Sequence, residues 1–438
     1  VPLAVYILGL SIFAQGTSEL MLAGLLPEMA ADLGVSVPDA GLLISAFAMG
    51  MLVGAPVLAV VTLRWPRRTA LLTFLVVFAL SHVVGALTSS YGTLFATRVV
   101  GAFVYAGFWA VAASTTLGLV PANARGKAMG VLAGGLTVAT IIGLSAGTVI
   151  GQHLGWRAAF WAVAALSVLA GAGILATIPG GRPGAAATGD TRPAPASGDE
   201  PRTGAAAPTG ATAGTGATAG IGAGAGPRVA TELRSMTSPK LWLAYSTTAL
   251  TTGALLASFS YLSVLLVDTT GLDSAWVPAV LALYGVGCLI GITIGGRTAD
   301  ARPFLSLYTG IAGLVVTSAA LALAASVPLL AVPLIFLLGA FGFATNPALN
   351  TRVFALAKNA PTLAAAVNVS SFNVGITVGP WLGGLSIGAG LGYPSVAWIG
   401  AAIGAASLAT VLVSGRLHRA EAAALPEPSE NGEIRSTL

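Results

Sequence analysis

Twelve apolar runs of about 20 residues or more alternate with short polar breaks, each long enough for a helix to cross a bilayer core. Six precede a long interruption: Leu3 to Leu26, Ala40 to Leu63, Thr69 to Thr88, Gly92 to Val120, Ala128 to Gln152 and Trp156 to Ile178. Six follow it: Leu241 to Val267, Ser274 to Gly295, Phe304 to Ala325, Leu329 to Ala357, Thr362 to Gly388 and Tyr393 to Ser414. The pattern predicts an all-α membrane protein with a six-helix bundle at 1–178, a linker at 179–238, a second six-helix bundle at 239–415 and a tail at 416–438. From Pro179 to Pro227 the chain is mostly Ala, Gly, Thr and Pro. With few large side chains to bury, such a stretch is expected to be a disordered cytoplasmic linker.

Composition narrows the function. Only 8% of residues are charged, against about 25% in a soluble domain, while 55% are hydrophobic. The single cysteine, Cys288, rules out a disulfide framework, and His82, His153 and His418 are too scattered to suggest a metal site. Neither a nucleophile and base set nor a Gly-x-x-x-x-Gly-Lys phosphate loop is present, which argues against an enzyme and against ATP drive. No cofactor is expected. The first apolar run, about 24 residues without a basic flank, is too long for a signal peptide and should be retained.

The net charge of +5 does not point to nucleic acid, because the basic residues sit at the ends of spans. Arg64, Arg67, Arg68, Arg125, Lys127, Arg297, Arg302, Arg352 and Lys358 fall on one face, whereas Arg157 falls on the other. The positive-inside rule then makes both termini and the linker cytoplasmic, in a multi-pass protein of the cytoplasmic membrane. Lipid is the expected partner, and the expected state is a monomer.

The halves repeat each other. Ala59 and Gly296 correspond at an offset of 237, and Gly143 and Gly379 at 236. Parallel six-span repeats are a transporter architecture.

Within the first span, ILGLSIFAQGTSELMLAGLL, one acid stands alone: Glu19. A carboxylate there costs about 2.5 to 3.5 kcal/mol on insertion scales, so it marks a functional site. Arg98 is the second charge inside a span, and counting at 1.5 Å per residue puts both roughly 10 Å below the outer boundary. Removal from water favours a neutral carboxyl, and a neighbouring guanidinium favours the carboxylate. A group poised between the two can exchange protons; a permanent structural ion pair is the alternative. Arg98, Tyr105 and Trp109 share one face of the fourth helix, and Gln15 lies one turn from Glu19, which makes them candidate substrate contacts. Tyr245, Tyr261 and Asn346 are the candidates from the second half, where Asn350, Asn368 and Asn373 also lie within apolar spans.

These features resemble the major facilitator superfamily, and within it the drug:proton antiporters of twelve spans. After the second span the family carries Gly-x-x-x-Asp-Arg-x-Gly-Arg-Arg; here Arg64, Arg67 and Arg68 remain while Ala59, Leu63 and Pro66 replace the Gly, Asp and Gly. The second copy keeps Gly296 and Asp300. The antiporter pattern Gly-x-x-x-Gly-Pro-x-x-Gly-Gly survives in the fifth span only as Gly143 and Gly147, with Leu144 where proline is expected. It is complete in the eleventh, from Gly375 through Gly379 and Pro380 to Gly384. Gly155-Trp156-Arg157 also matches the family. The resemblance implies that these residues gate and bend the helices, and that the first and fourth helices line a central cavity. The stretch AQGTSELMLAGLLPEMAADLGVS together with GWRAAFWAVA resembles actinobacterial chloramphenicol exporters. That likeness implies proton-driven efflux of chloramphenicol by alternating access, giving antibiotic resistance. A sugar or nucleoside exporter of the same superfamily, or a non-transporting membrane sensor or scaffold, are the other readings.

Overall fold

The computed structural model describes residues 1–62, 65–121, 124–178, 238–299, 302–357 and 361–424. The chain forms helices α1 (Leu3–Leu33), α2 (Val37–Val61), α3 (Arg67–Leu87), α4 (Tyr91–Leu119), α5 (Arg125–Leu154) and α6 (Trp156–Thr177). The second half supplies α7 (Pro239–Thr269), α8 (Ser274–Ala299), α9 (Pro303–Ala324), α10 (Pro328–Leu356), α11 (Pro361–Gly388) and α12 (Ser395–Ala424). Helices are the form in which a lipid-facing backbone satisfies its own hydrogen bonds. Proline opens α7, α9 and α10 at a position where its missing N–H costs nothing.

Two helices outrun the apolar runs that announce them. α1 passes Leu26 and Pro27 and ends at Gly34, whose left-handed φ of 63° turns the chain so that the Val35 N–H reaches the Ala30 carbonyl at 3.1 Å. α12 continues to Ala424, past the expected tail boundary at 416. The linker at 179–237, the far tail, Leu63, Arg64, Lys358 and Asp300 lie outside the described residues.

The duplication is visible in the packing. In the first bundle α1 packs on α5 and α6, α2 on α4, and α3 on α4 and α6. The second bundle repeats this scheme with each helix number raised by six: α7 on α11 and α12, α8 on α10, and α9 on α10 and α12. Close approaches repeat in register as well. Gly50 and Gly54 sit against the Val99 and Phe103 carbonyls, while Gly287 and Gly291 sit against those of Phe336 and Ala340, all displaced by 237. Thr17 meets Gly143, and Gly253 meets Gly379, at 236. The core follows from these pairings: Leu8, Ile12, Phe78 and Phe108 are fully buried in one half, and Leu281, Leu314 and Leu338 in the other.

The bundles meet through α2 on α11 and α5 on α8, a pairing that the same repeat relates to itself. Ser45 donates to the Thr377 carbonyl at 2.8 Å, Ser263 to that of Ala23 at 2.6 Å and Gln152 Nε2 to that of Ser274 at 2.7 Å. All three lie in the half of the molecule remote from the helix ends at Leu3, Thr177 and Pro239. The half bearing those ends has no hydrogen bond between bundles among the described residues.

Candidate functional site

Between the bundles, α1, α2 and α5 face α7, α10 and α11 across about 830 Å³ of empty space, part of it open to solvent. The walls are chiefly apolar, with Leu20, Ile44, Leu255, Phe259, Phe343 and Phe372 interrupted by Thr140, Thr251 and Asn346. Glu19 is the one ionisable residue among the described residues that line it.

Glu19 sits near the middle of α1. Its Oε2 is shielded from solvent and has no hydrogen-bond partner. Asn346 faces the cavity from the other bundle, 8% exposed, and its Oδ1 likewise has no partner. It stands where α10 breaks: one helical segment ends at Ala344, Thr345 intervenes, and Pro347 opens the next turn. Two buried acceptors without donors favour a ligand that brings O–H or N–H groups, since an unsatisfied buried polar atom costs about 1–3 kcal/mol.

Arg98 is 1% exposed but does not pair with Glu19. Among the described residues the one ion pair joins Arg157 to Asp32. The Arg98 guanidinium turns instead to the residue before Glu19: Nη1 donates to Ser18 Oγ at 2.7 Å and Nη2 to the Ser18 carbonyl at 3.1 Å. It also lies over the Phe47 ring, 4.3 Å from its centre. Ser18 and His82, which carry no obvious mark in the sequence, thus belong to the same cluster, with Ser18 Oγ 2.6 Å from His82 Nε2.

The other expected substrate contacts disperse. Tyr105 and Trp109 are buried within the first bundle, Tyr105 between the rings of Phe47 and Phe78, because α4 packs behind α2 and α3. Gln15 is fully buried and bonds back to the Ser11 carbonyl at 3.1 Å. Tyr245 donates to the Ala364 carbonyl at 3.3 Å, joining α7 to α11 away from the cavity. Tyr261 donates to the Pro380 carbonyl at 3.0 Å and fills the gap between Gly41 and Gly384. Of the asparagines within apolar spans, Asn368 joins helices, donating to Asn350 Oδ1 at 2.8 Å and accepting from Thr248 at 3.1 Å, whereas Asn373 bonds back to the Val369 carbonyl of its own helix.

Among the expected gating residues, Arg67 reaches the Ser114 carbonyl at 3.4 Å, Arg68 is half-buried, and Gly296 has open space around it. Gly143 and Gly147 lie against Thr17 and Met21, and Gly375 and Gly379 against the backbone of α7. Where Leu144 replaces the expected proline, α5 takes a π-helical turn over Ala139–Gly143 that exposes its backbone to Gly285 of α8. Trp156 and Arg157 both bond Asp32, tying α6 to the extension of α1.

The sequence matches the Major Facilitator Superfamily over residues 8–372. It is 42% identical over 365 residues to a chloramphenicol resistance protein of Streptomyces lividans, covering 83% of this chain and 84% of that one. It is 32% identical to the inner membrane transport protein YdhP of Escherichia coli (strain K12), covering 93% of this chain and 95% of that one. The fold is similar to a crystal structure of a bacterial homolog of the human lysosomal transporter Spinster, solved inward-facing and unoccupied. The TM-score is 0.65 over 98% of both chains at 16% identity, a likeness of fold alone. The chain therefore belongs to the Major Facilitator Superfamily and is a multi-pass membrane transporter, not an enzyme.

Proposed function

We propose that the protein exports a hydrophobic drug, chloramphenicol by preference, in exchange for protons, by rocking its two bundles about the central cavity. One observation carries the coupling: Glu19, the single ionisable lining residue described, faces the cavity with an acceptor oxygen that has no partner. A carboxyl so placed takes a proton when the cavity opens to one side and yields it when drug arrives or the cavity turns to the other. The 42% identity to a chloramphenicol resistance protein supports the substrate, as do the phenylalanines and unsatisfied acceptors of the cavity. Export of a neutral drug against one proton moves one charge, so the membrane potential adds about 2.3 kcal/mol per 100 mV. The basic residues at the Leu3 and Pro239 ends support a cytoplasmic location for that face. No cofactor is required, and one chain suffices because both walls of the cavity come from it.

Reconstitution into vesicles with an imposed pH gradient tests this reading. Chloramphenicol and florfenicol should be transported and a sugar should not. Glu19→Gln should insert normally yet lose gradient-driven transport and drug-induced proton release. Native-level coupling in that variant would refute the proton role, and preferential movement of the sugar would refute the substrate.

A further inference from the structure

The cluster around Ser18 has a fixed sense of hydrogen bonding. Arginine has donors only, so Ser18 Oγ accepts from Arg98 Nη1 at 2.7 Å. Its own hydrogen is free to point at His82 Nε2, 2.6 Å away, which accepts it when the ring is neutral with its hydrogen on Nδ1. The other nitrogen, Nδ1, carries the hydrogen and donates it to the Phe78 carbonyl at 2.8 Å. The neutral ring is thereby fixed in one tautomer; His82 is 3% exposed, with its ring 4.3 Å from that of Phe78 and 5.4 Å from that of Phe160. A one-way chain runs from Arg98 on α4, through Ser18 on α1, to His82 on α3.

Both acceptors used by Arg98 belong to Ser18, one peptide unit before Glu19. The guanidinium is thus fixed near Glu19 while the two groups form no ion pair. A direct pair would hold Glu19 ionised; an arginine held at a distance keeps its field on the carboxyl and leaves it free to gain and lose a proton. The charged or titratable groups around the chain are Glu19 from α1, His82 from α3, and Arg98 and Tyr105 from α4. α2 and α6 contribute the rings of Phe47 and Phe160.

We propose that His82 is a positioning residue of the transport cycle: by accepting from Ser18 it orients the hydroxyl that holds Arg98 beside, but not against, Glu19. This rests on the proton-coupled reading above. The alternative role, plain attachment of α1 to α3 and α4, makes a different prediction, because loose helices impair every activity alike.

The test compares drug exchange with gradient-driven transport in vesicles containing the full chain and chloramphenicol. Exchange requires binding and alternation without net proton movement. His82→Leu should keep most of the exchange and lose up to about a hundredfold in driven transport, the scale expected when a reacting group is misplaced by about 1 Å. Ser18→Ala removes the middle of the chain without changing the helix and should do the same. His82→Gln, whose side-chain oxygen can accept from Ser18, should restore much of the coupling. Equal loss of exchange and driven transport in His82→Leu and Ser18→Ala would overturn the proposal in favour of attachment, as would native coupling in either. If the native protein itself shows exchange but no response to the gradient, the proton-coupled reading fails first and this inference with it.

Discussion

Glu19 and Arg98 have no charged counterparts in the second bundle. At the offsets of 236 and 237 that relate the halves, their positions are taken by Leu255, which lines the cavity, and Ile335, which is fully buried. The frame is duplicated; the ionisable chemistry is not. Asn346 is the polar answer on the other wall, and it yields a prediction that separates binding from stability. Asn346→Leu removes a buried acceptor without a partner, so the drug-free protein should unfold at a higher temperature, by the few degrees that about 1–3 kcal/mol brings. The same variant should lose affinity for a drug that donates to Oδ1. Thermal unfolding with and without chloramphenicol reads both, and an undiminished drug-induced shift would remove Asn346 from the site. Glu19 was legible in the sequence because a carboxyl is conspicuous in an apolar run. Ser18 and His82 were not, because a serine and a lone histidine are unremarkable within a helix until three dimensions set them against an arginine.

At the level of the helix, the apolar runs located every span but not every end. A run measures the thickness of lipid that the helix crosses, whereas the helix persists wherever its backbone remains satisfied, as α1 does from Leu26 to Leu33 and α12 beyond Ser414. Bends were harder to read: Leu144 stands where the family pattern has proline, and a π turn at Ala139–Gly143 lies just before it, a device with no simple sequence signature. Glycine spacing, by contrast, was informative. A β-carbon on Gly54 would lie 2.5 Å from the Phe103 carbonyl oxygen and 2.7 Å from Phe103 Cα. Gly54→Ala must therefore push α2 from α4 and should cost about 1–3 kcal/mol, the scale of overpacking. Gly130 meets nothing within 4 Å, so Gly130→Ala should leave stability intact or improve it. Detergent-solubilised melting curves compare the pair, and equal melting points would contradict the close α2–α4 contact.

For the molecule as a whole, the duplication was readable from two pairs of glycine and alanine positions, but the arrangement of the halves was not. A transporter's sequence must serve at least two arrangements, so it cannot announce the one described here, in which the hydrogen bonds between bundles among the described residues all lie at one end. Gln152 of α5 and Ser274 at the start of α8 span the joined end, remote from the proposed coupling site. If transport requires the bundles to rock, that end must open once per cycle. Gln152→Cys combined with Ser274→Cys, bridged by a short thiol cross-linker, should therefore stop transport while leaving the central cavity intact. The one native thiol, Cys288, is buried and should not interfere. Chloramphenicol should still bind the bridged protein when supplied from the Leu3 side, and each single cysteine variant should transport normally after the same treatment. That combination, binding retained and turnover lost, is specific to a blocked rigid-body motion: a damaged site would lose both. Transport at the native rate after complete cross-linking would mean that the α5–α8 end does not separate, and that the drug leaves by another route.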